Sequence, residues 1–305
     1  MRTQSSATAI TRTAIPPAGL RWGLVGVAAF SLTVPLTRLA VGGLSPLFIG
    51  SARAVVAALL AAIALTITRQ RLPRGAQWLR LAVVGGGVVV GFPLLTSFAL
   101  TSAPASHGAV VIAVLPAVTA MLAVLRGHER PPGRFWVAAG AGAVAATVFA
   151  SAQWGGLGRL HPADLLLFGA VVAAAAGYAE GGLLARELGA WQTVSWALVL
   201  CSPLMVALTV VAVAREVPQG TPAQWAAFGY LGAVSMFLGF FAWYHGLAIG
   251  PMAQVSQVQL AQPVMSIAWA ALLLGEQIGA TTLVGGLVVI LCAATAIRTR
   301  LGTNR

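Results

Sequence analysis

Lysine is missing from this chain; all 18 of its basic residues are arginines. A Gly-rich phosphate loop that ends in lysine is therefore excluded, and with it direct use of ATP by this chain alone. Charge is scarce altogether, at 8% of the residues, where a soluble domain carries about 25% because its surface must face water. The six acidic residues form no paired carboxylates, no Ser/His/Asp grouping is found, and the four histidines are too scattered for a metal constellation. Two cysteines, Cys201 and Cys292, fall inside apolar stretches and read as small hydrophobes, with no disulfide implied. No catalytic set emerges, so neither an enzyme nor a cofactor is expected.

Apolar residues fill the space instead: 59% of the chain, with a mean hydropathy of +0.90. A surface of that composition faces lipid. The 305 residues hold roughly ten membrane spans of about 20 residues each with short turns, and no water-soluble domain of any size besides. Apolar runs place the spans near 22–41, 45–67, 78–100, 105–125, 134–152, 163–185, 191–213, 224–247, 252–274 and 281–298. Residues 1–20 are polar, basic and broken by Pro16-Pro17. They lack the apolar core of a signal peptide, so the first span itself is expected to act as an uncleaved insertion signal.

A net charge of +12 would suggest nucleic acid in a soluble protein. Here the arginines flank apolar segments rather than forming a stripe, which is a topology signal and not a phosphate-binding patch. With the N-terminus in the cytoplasm, one side collects 14 arginines and the other only Arg38, Arg159 and Arg215, while Arg53 stays inside a span. Positive residues are retained inside during insertion. Both termini are therefore expected in the cytoplasm of a multi-pass protein of the bacterial inner membrane.

An internal repeat organises the spans. Leu100, Pro104, Pro116 and Glu129 recur as Leu247, Pro251, Pro263 and Glu276, each 147 residues later with no gap. Ten spans then divide into five plus five, and an odd number per copy turns the second upside down in the membrane. The expected fold is an all-α membrane protein of two inverted five-helix repeats around a central cavity, residues 21–152 and 163–298, with cytoplasmic tails at 1–20 and 299–305.

Each half ends in a pattern of Ala/Gly-Leu, a proline four residues on, a second proline and a glutamate. ALTSAPAS (99–106) and GLAIGPMA (246–253) lead into the fourth and ninth spans, and Gly127-His128-Glu129-Arg130 and Gly275-Glu276-Gln277 close them. With Trp22-Gly23 opening the first span, Pro35 within it and Arg53 in the second, the chain resembles the drug/metabolite transporter superfamily in its ten-span EamA-type exporter branch. The likeness covers about residues 20–298. It implies export of amino acids and related metabolites, and a cavity surrounded by helices one, three, four, six, eight and nine.

Polar groups within hydrocarbon cost several kcal/mol unless paired or wetted, so each is a candidate for the pathway. Arg53 lies about 12 Å into its helix at about 1.5 Å per residue, near the middle of a core about 30 Å thick. It suits a substrate carboxylate, a structural role capping the carbonyls of a broken neighbouring helix, or a charge that only sets the field. Glu180, beside Tyr178 and Gly181-Gly182, suits proton coupling or a substrate ammonium; the plainer reading is water contact or a pair with Arg186. On the ninth span, Ser256, Gln259 and Gln262 share a face at 100° per residue, with Gln254 and Gln257 opposite. Four glutamines suit a zwitterion in a wet cavity, or else interhelical hydrogen bonds worth about 0.6 kcal/mol each. Trp243 and Tyr244 are lining candidates because the resemblance puts the eighth helix at the cavity; Ser97, in Thr96-Ser97-Phe98, is a weaker one. Trp22, Trp191 and Trp225 read as interface anchors. Pro116 and Pro263 occupy equivalent helix interiors and, with Pro35, are hinge candidates.

The expected function is export of amino acids, bulky or aromatic ones included, by alternating access. The alternatives are a proton-coupled exporter of cationic drugs, or a membrane-embedded enzyme or non-transporting assembly partner. Expected partners are the lipid bilayer and a small-molecule substrate, with no nucleic acid, in a monomer or homodimer.

Overall fold

The computed structural model describes residues 17–127, 132–153, 161–249 and 256–301, and every regular element among them is a helix. Ten helical segments follow one another. α1 runs over Pro17–Ser31 and, after Leu32, Thr33–Ala40; α2 is Pro46–Ile67. α3 joins Gln77–Val84 to Phe92–Ala99 through a π-helical stretch, Gly85–Gly91. α4 consists of Ala105–Ile112 and Leu115–Gly127, and α5 is Gly133–Gln153. α6 is Pro162–Leu188 and α7 is Ala190–Arg215. α8 joins Pro222–Tyr230 to Gly239–Ile249 through a second π stretch, Leu231–Leu238. α9 opens as a 3₁₀ turn, Ser256–Ala261, and continues as Gln262–Leu274; α10 is Ala280–Leu301.

Seven of these segments, α1, α2, α3, α5, α6, α7 and α8, are long and apolar enough to cross a membrane. The described parts of α4, α9 and α10 form shorter apolar helices. Local chemistry sets several borders. Ser45, His161 and Thr221 cap α2, α6 and α8, and a proline follows each at the first helical position, where no hydrogen bond is lost. Gly189 at φ 97° separates α6 from α7, and Gly275 at φ 66° ends α9 in the left-handed conformation that glycine adopts without a Cβ clash.

The irregularities repeat as the sequence does. Leu115–Gly127 and Gln262–Leu274 are both 13-residue helices, displaced by the same 147 residues (115 to 262). The second arms of α3 and α8 begin at Phe92 and Gly239, and α5 and α10 begin at Gly133 and Ala280, with the same displacement. Helix neighbours repeat too. α1 packs on α8 and α9, while its counterpart α6 packs on α3 and α4; α2 pairs with α7, α4 with α9 and α5 with α10. Within these pairs the helices run oppositely. Thr209 late in α7 donates to Ser51 early in α2 at 3.0 Å, and Gln192 early in α7 reaches Gln70 past the end of α2 at 3.2 Å. Glu276, just beyond α9, accepts from the amides of Ala105 and Ser106 that open α4, at 2.7 and 2.9 Å. Carboxylate at a helix N-terminus is favourable for the dipole and for the unpaired amides, which gives the repeated glutamate a physical purpose. Glu129, Pro251 and Gln254 lie outside the described residues.

Polarity is arranged inside out. Leu59, Ile67, Leu79, Val137 and Leu272 are exposed, whereas Thr37, Ser51, Arg53, His107, Asp164 and Glu180 are buried. That is the pattern of a bundle solvated by hydrocarbon. Backbones come close where glycine permits. A Cβ on Gly87 of α3 would stand 2.3 Å from the Ala173 carbonyl oxygen of α6, and one on Gly246 of α8 would stand 2.6 Å from the Gly23 amide nitrogen of α1. Since backbone cannot yield, Gly87→Ala is expected to destabilise the fold by about 1–3 kcal/mol, read as a lower midpoint in thermal unfolding of detergent-solubilised protein.

Candidate substrate-binding site

The two halves meet around a cavity of about 440 Å³, its open mouth included, to which α1, α2, α3, α6, α8 and α9 all contribute. Breaks in the helices shape it. Pro35 has no N–H to return to the Ser31 carbonyl; Ser266 Oγ of α9 donates to that carbonyl instead, at 2.7 Å. Beside the break, Phe30 and Thr33 of α1 face the cavity. The π stretches place Val88 of α3 and Ser235 of α8 there, positions related by the repeat. Such π insertions frequently mark functional positions, because they re-aim side chains.

Arg53 is the one charged side chain among the described residues lining the cavity. It is 2% exposed. Nη1 and Nη2 donate to the hydroxyls of Thr37 and Thr96, both at 3.4 Å, and Nε has no partner. These are long bonds near the limit of the interaction. A guanidinium offers five N–H donors and fits a carboxylate in a two-bond fork, so this one has donors in reserve in the cavity wall. Opposite it, Phe240 packs on Phe30 at 4.9 Å between ring centroids and on Tyr178 at 6.2 Å. The Thr33 and Ser235 hydroxyls bond each other across the two halves at 2.7 Å, and Gln262 closes the lining from α9. Cation, hydroxyls and rings together form an amphipathic receptor.

A second space, of about 310 Å³ with its open mouth included, adjoins the first and shares Gln262 with it. Pro116 and Pro263 both line it, with Gln259, Ser266, Val34 and Ile112. The equivalent helix breaks thus come together where α4 crosses α9. Helix four, implied by the resemblance as a wall of the cavity, lines this second space rather than the first, and helix two contributes Arg53 to the first.

A model of the EamA-like transporter family matches the chain twice, over residues 17–151 and 161–298. The chain belongs to this EamA-like transporter family. It is accordingly a membrane transporter of the drug/metabolite transporter superfamily. A Bacillus subtilis (strain 168) protein named Uncharacterized transporter YdeK is 42% identical over 284 residues, covering 90% of this chain and 96% of that one. A solved crystal structure resembles it with a TM-score of 0.62 over 91% of this chain and 97% of its own, at 18% identity, which carries the fold alone.

Within this EamA-like bundle the other sequence candidates take varied places. Tyr178 and Gln262 join Arg53 in the first cavity, and Gln259 lines the second. Their helix differs from the expected α-helix. The observed 3₁₀ turn ends at Ala261 and the α-helix begins only at Gln262, so the 100° per residue expected over this stretch does not hold within the turn. Gln257 lies in that turn. Trp243 and Tyr244, 3% and 2% exposed, are buried in the apolar core that joins α1, α3, α7 and α8, and line neither cavity. Ser97 is buried with its hydroxyl on the Pro93 carbonyl at 2.7 Å. Glu180, 6% exposed, stands outside both linings, where Arg80 of α3 donates to it and also to Glu187. Pro35 sits just past the break in α1. Thr33, Thr37, Ser235 and Phe240 were not singled out by the sequence: threonine and serine are common in membrane helices, and hydropathy does not say which face of a helix turns inward.

Proposed function

We propose that this transporter exports amino acids or closely related carboxylates, with bulky or aromatic side chains preferred, across the bacterial inner membrane by alternating access. The observation that carries this reading is Arg53, buried in a cavity between the halves with donors in reserve and aromatic rings opposite. In it, Arg53 receives the substrate carboxylate, Gln262 and the Thr33 and Ser235 hydroxyls receive its ammonium, and Phe30, Tyr178 and Phe240 enclose its side chain. Gln259 borders the path between the proline breaks, and Gln257 belongs to the 3₁₀ turn that opens α9. All ten segments cross the membrane in this reading, as two inverted repeats with both termini in the cytoplasm. The antiparallel pairs α2–α7 and α4–α9, and the recurrence of helix borders, support the inversion; the arginine distribution supports the orientation. Rocking of one half on the other would bend α4 and α9 at Pro116 and Pro263, and α1 at Pro35.

A lipophilic cation fits less well. Arg53 would repel it, and Glu180, the carboxylate best placed within a helix, is already engaged by Arg80. The test is flux in liposomes holding the purified protein. Labelled phenylalanine is expected to exchange against internal phenylalanine, and labelled phenylalaninamide is not. Flux of the amide alone, or of no amino acid tested, would remove this reading.

A further inference from the structure

Away from the cavities, His107 of α4 and Asp164 of α6 form a hydrogen-bonded pair, Nε2 to Oδ1 at 2.7 Å, with both side chains 0% exposed. The pair joins the first half to the second. Its surroundings are apolar: the Phe149 ring of α5 stacks on the imidazole at 5.2 Å, and Val110, Val111 and Leu167 belong to the same core cluster. Ionisable neighbours among the described residues come from two elements. On the α6 side, Asp164 Oδ2 accepts from the backbone N–H of His161, whose ring lies near enough to act on His107 electrostatically. From α9 comes Glu276, which is occupied by the first amides of α4. Val34 of α1 meets α4 one residue on, at Gly108, and Gly286 of α10 meets it at Val110. Arg38 of α1 is directed to the Leu100 and Thr101 carbonyls ahead of α4, at 2.7 and 2.8 Å.

We propose that the His107–Asp164 pair is a proton-binding site whose occupancy governs how tightly α4 holds α6. With a neutral imidazole the pair carries net charge −1; one further proton on the ring makes it an imidazolium–carboxylate pair of net charge zero. Burying uncompensated charge in an apolar setting is costly, whereas a matched, hydrogen-bonded pair is tolerated. The protonated pair therefore favours the dry, packed arrangement. Loss of the proton favours wetting and parting of the two helices. Acidification tightens the contact and alkalinisation loosens it. Because α6 supplies Tyr178 to the first cavity and α4 supplies Ile112 to the second, the proton would be coupled to the transport cycle. That coupling rests on the transporter reading; the proton site does not.

Hydrogen–deuterium exchange of the full-length protein tests the site without any substrate. The amides of residues 105–112 are compared between about pH 5 and about pH 8, the range in which imidazole changes charge, after correction for intrinsic exchange rates. Wild-type protection is expected to rise about tenfold on acidification, the factor that one unit of linkage supplies. His107→Gln, whose amide can still donate to Asp164, is expected to fold and to show a flat profile; Asp164→Asn should be flat as well. A flat wild-type profile, or the wild-type profile persisting in His107→Gln, would overturn the assignment. So would a profile lost in His161→Gln but kept in His107→Gln.

Discussion

Replacing Arg53 by methionine is expected to cut exchange of phenylalanine at low substrate by about one to two orders of magnitude while leaving the melting temperature unchanged or raising it. Hydrogen bonds to a charged group are worth about 1.5–3 kcal/mol, so losing the fork to a carboxylate should cost roughly tenfold to hundredfold in flux at low substrate. Stability moves the other way because the guanidinium is 2% exposed, has two long bonds to hydroxyls and leaves Nε unpaired. A buried charge with incomplete compensation destabilises a fold, and an apolar residue of similar volume relieves it. A structural arginine would give the opposite signature: a large drop in melting temperature with residual flux in the molecules that remain folded. Arg53→Lys retains the charge but not the planar fork, and its flux should fall between wild type and Arg53→Met. Flux and thermal unfolding measured on one preparation of each variant separate the two cases.

The largest loss of stability is expected from Arg80→Gln. Arg80 of α3 engages both Glu180 and Glu187 of α6, and so ties the halves together at that end of the bundle. Removing it takes the guanidinium away from the Glu180 carboxylate, which is 6% exposed, and breaking a buried ion pair by deleting one member costs about 3–5 kcal/mol. Glu187 is well exposed and its charge is screened by solvent, so Glu187→Gln is expected to be nearly silent. Glu180→Gln introduced into the Arg80→Gln chain should recover most of the lost stability, since the buried negative charge is then removed as well. Denaturant or thermal unfolding of the wild type and these three variants reads the differences. Equal losses from Arg80→Gln and Glu187→Gln would show that the ion pair is carried by the exposed partner instead.

Hydropathy made most of the bundle legible. The apolar runs expected at 45–67 and 191–213 match helices Pro46–Ile67 and Ala190–Arg215 to within two residues, because a helix in lipid must be apolar along its whole length. The 147-residue displacement was visible in four residues and extends to whole helix borders. The π stretches in α3 and α8 and the 3₁₀ opening of α9 were not legible. They change which face a side chain occupies without changing composition, and Gly85-Gly86-Gly87 or Leu231-Gly232 reads equally well as ordinary helix.

Arg53 was legible because a lone charge in an apolar run cannot be trivial. Its hydroxyl neighbour Thr37 was not, since it also donates to a carbonyl four residues back, at 2.7 Å, as such side chains do in any helix; Thr96 stood only within the weaker candidate stretch Thr96-Ser97-Phe98. Polarity also misdirects for Trp243 and Tyr244: amphipathic rings suit a cavity rim and a packed interface equally. The close approach of α1, marked by Gly26 against Trp243, decides for the interface. His107 and Asp164 lie 57 residues apart, and nothing local announces that they meet.

Alternate opening of the Arg53 cavity to the two membrane faces is tested most directly at Ser235, which lines it from α8. In a chain carrying Cys201→Ala, Cys292→Ala and Ser235→Cys, a small membrane-impermeant thiol reagent is applied to oriented liposomes from one face and then the other. The cysteine should react from both faces, at rates that phenylalanine slows and phenylalaninamide leaves unchanged. Reaction from a single face only, unaffected by either compound, would contradict the account.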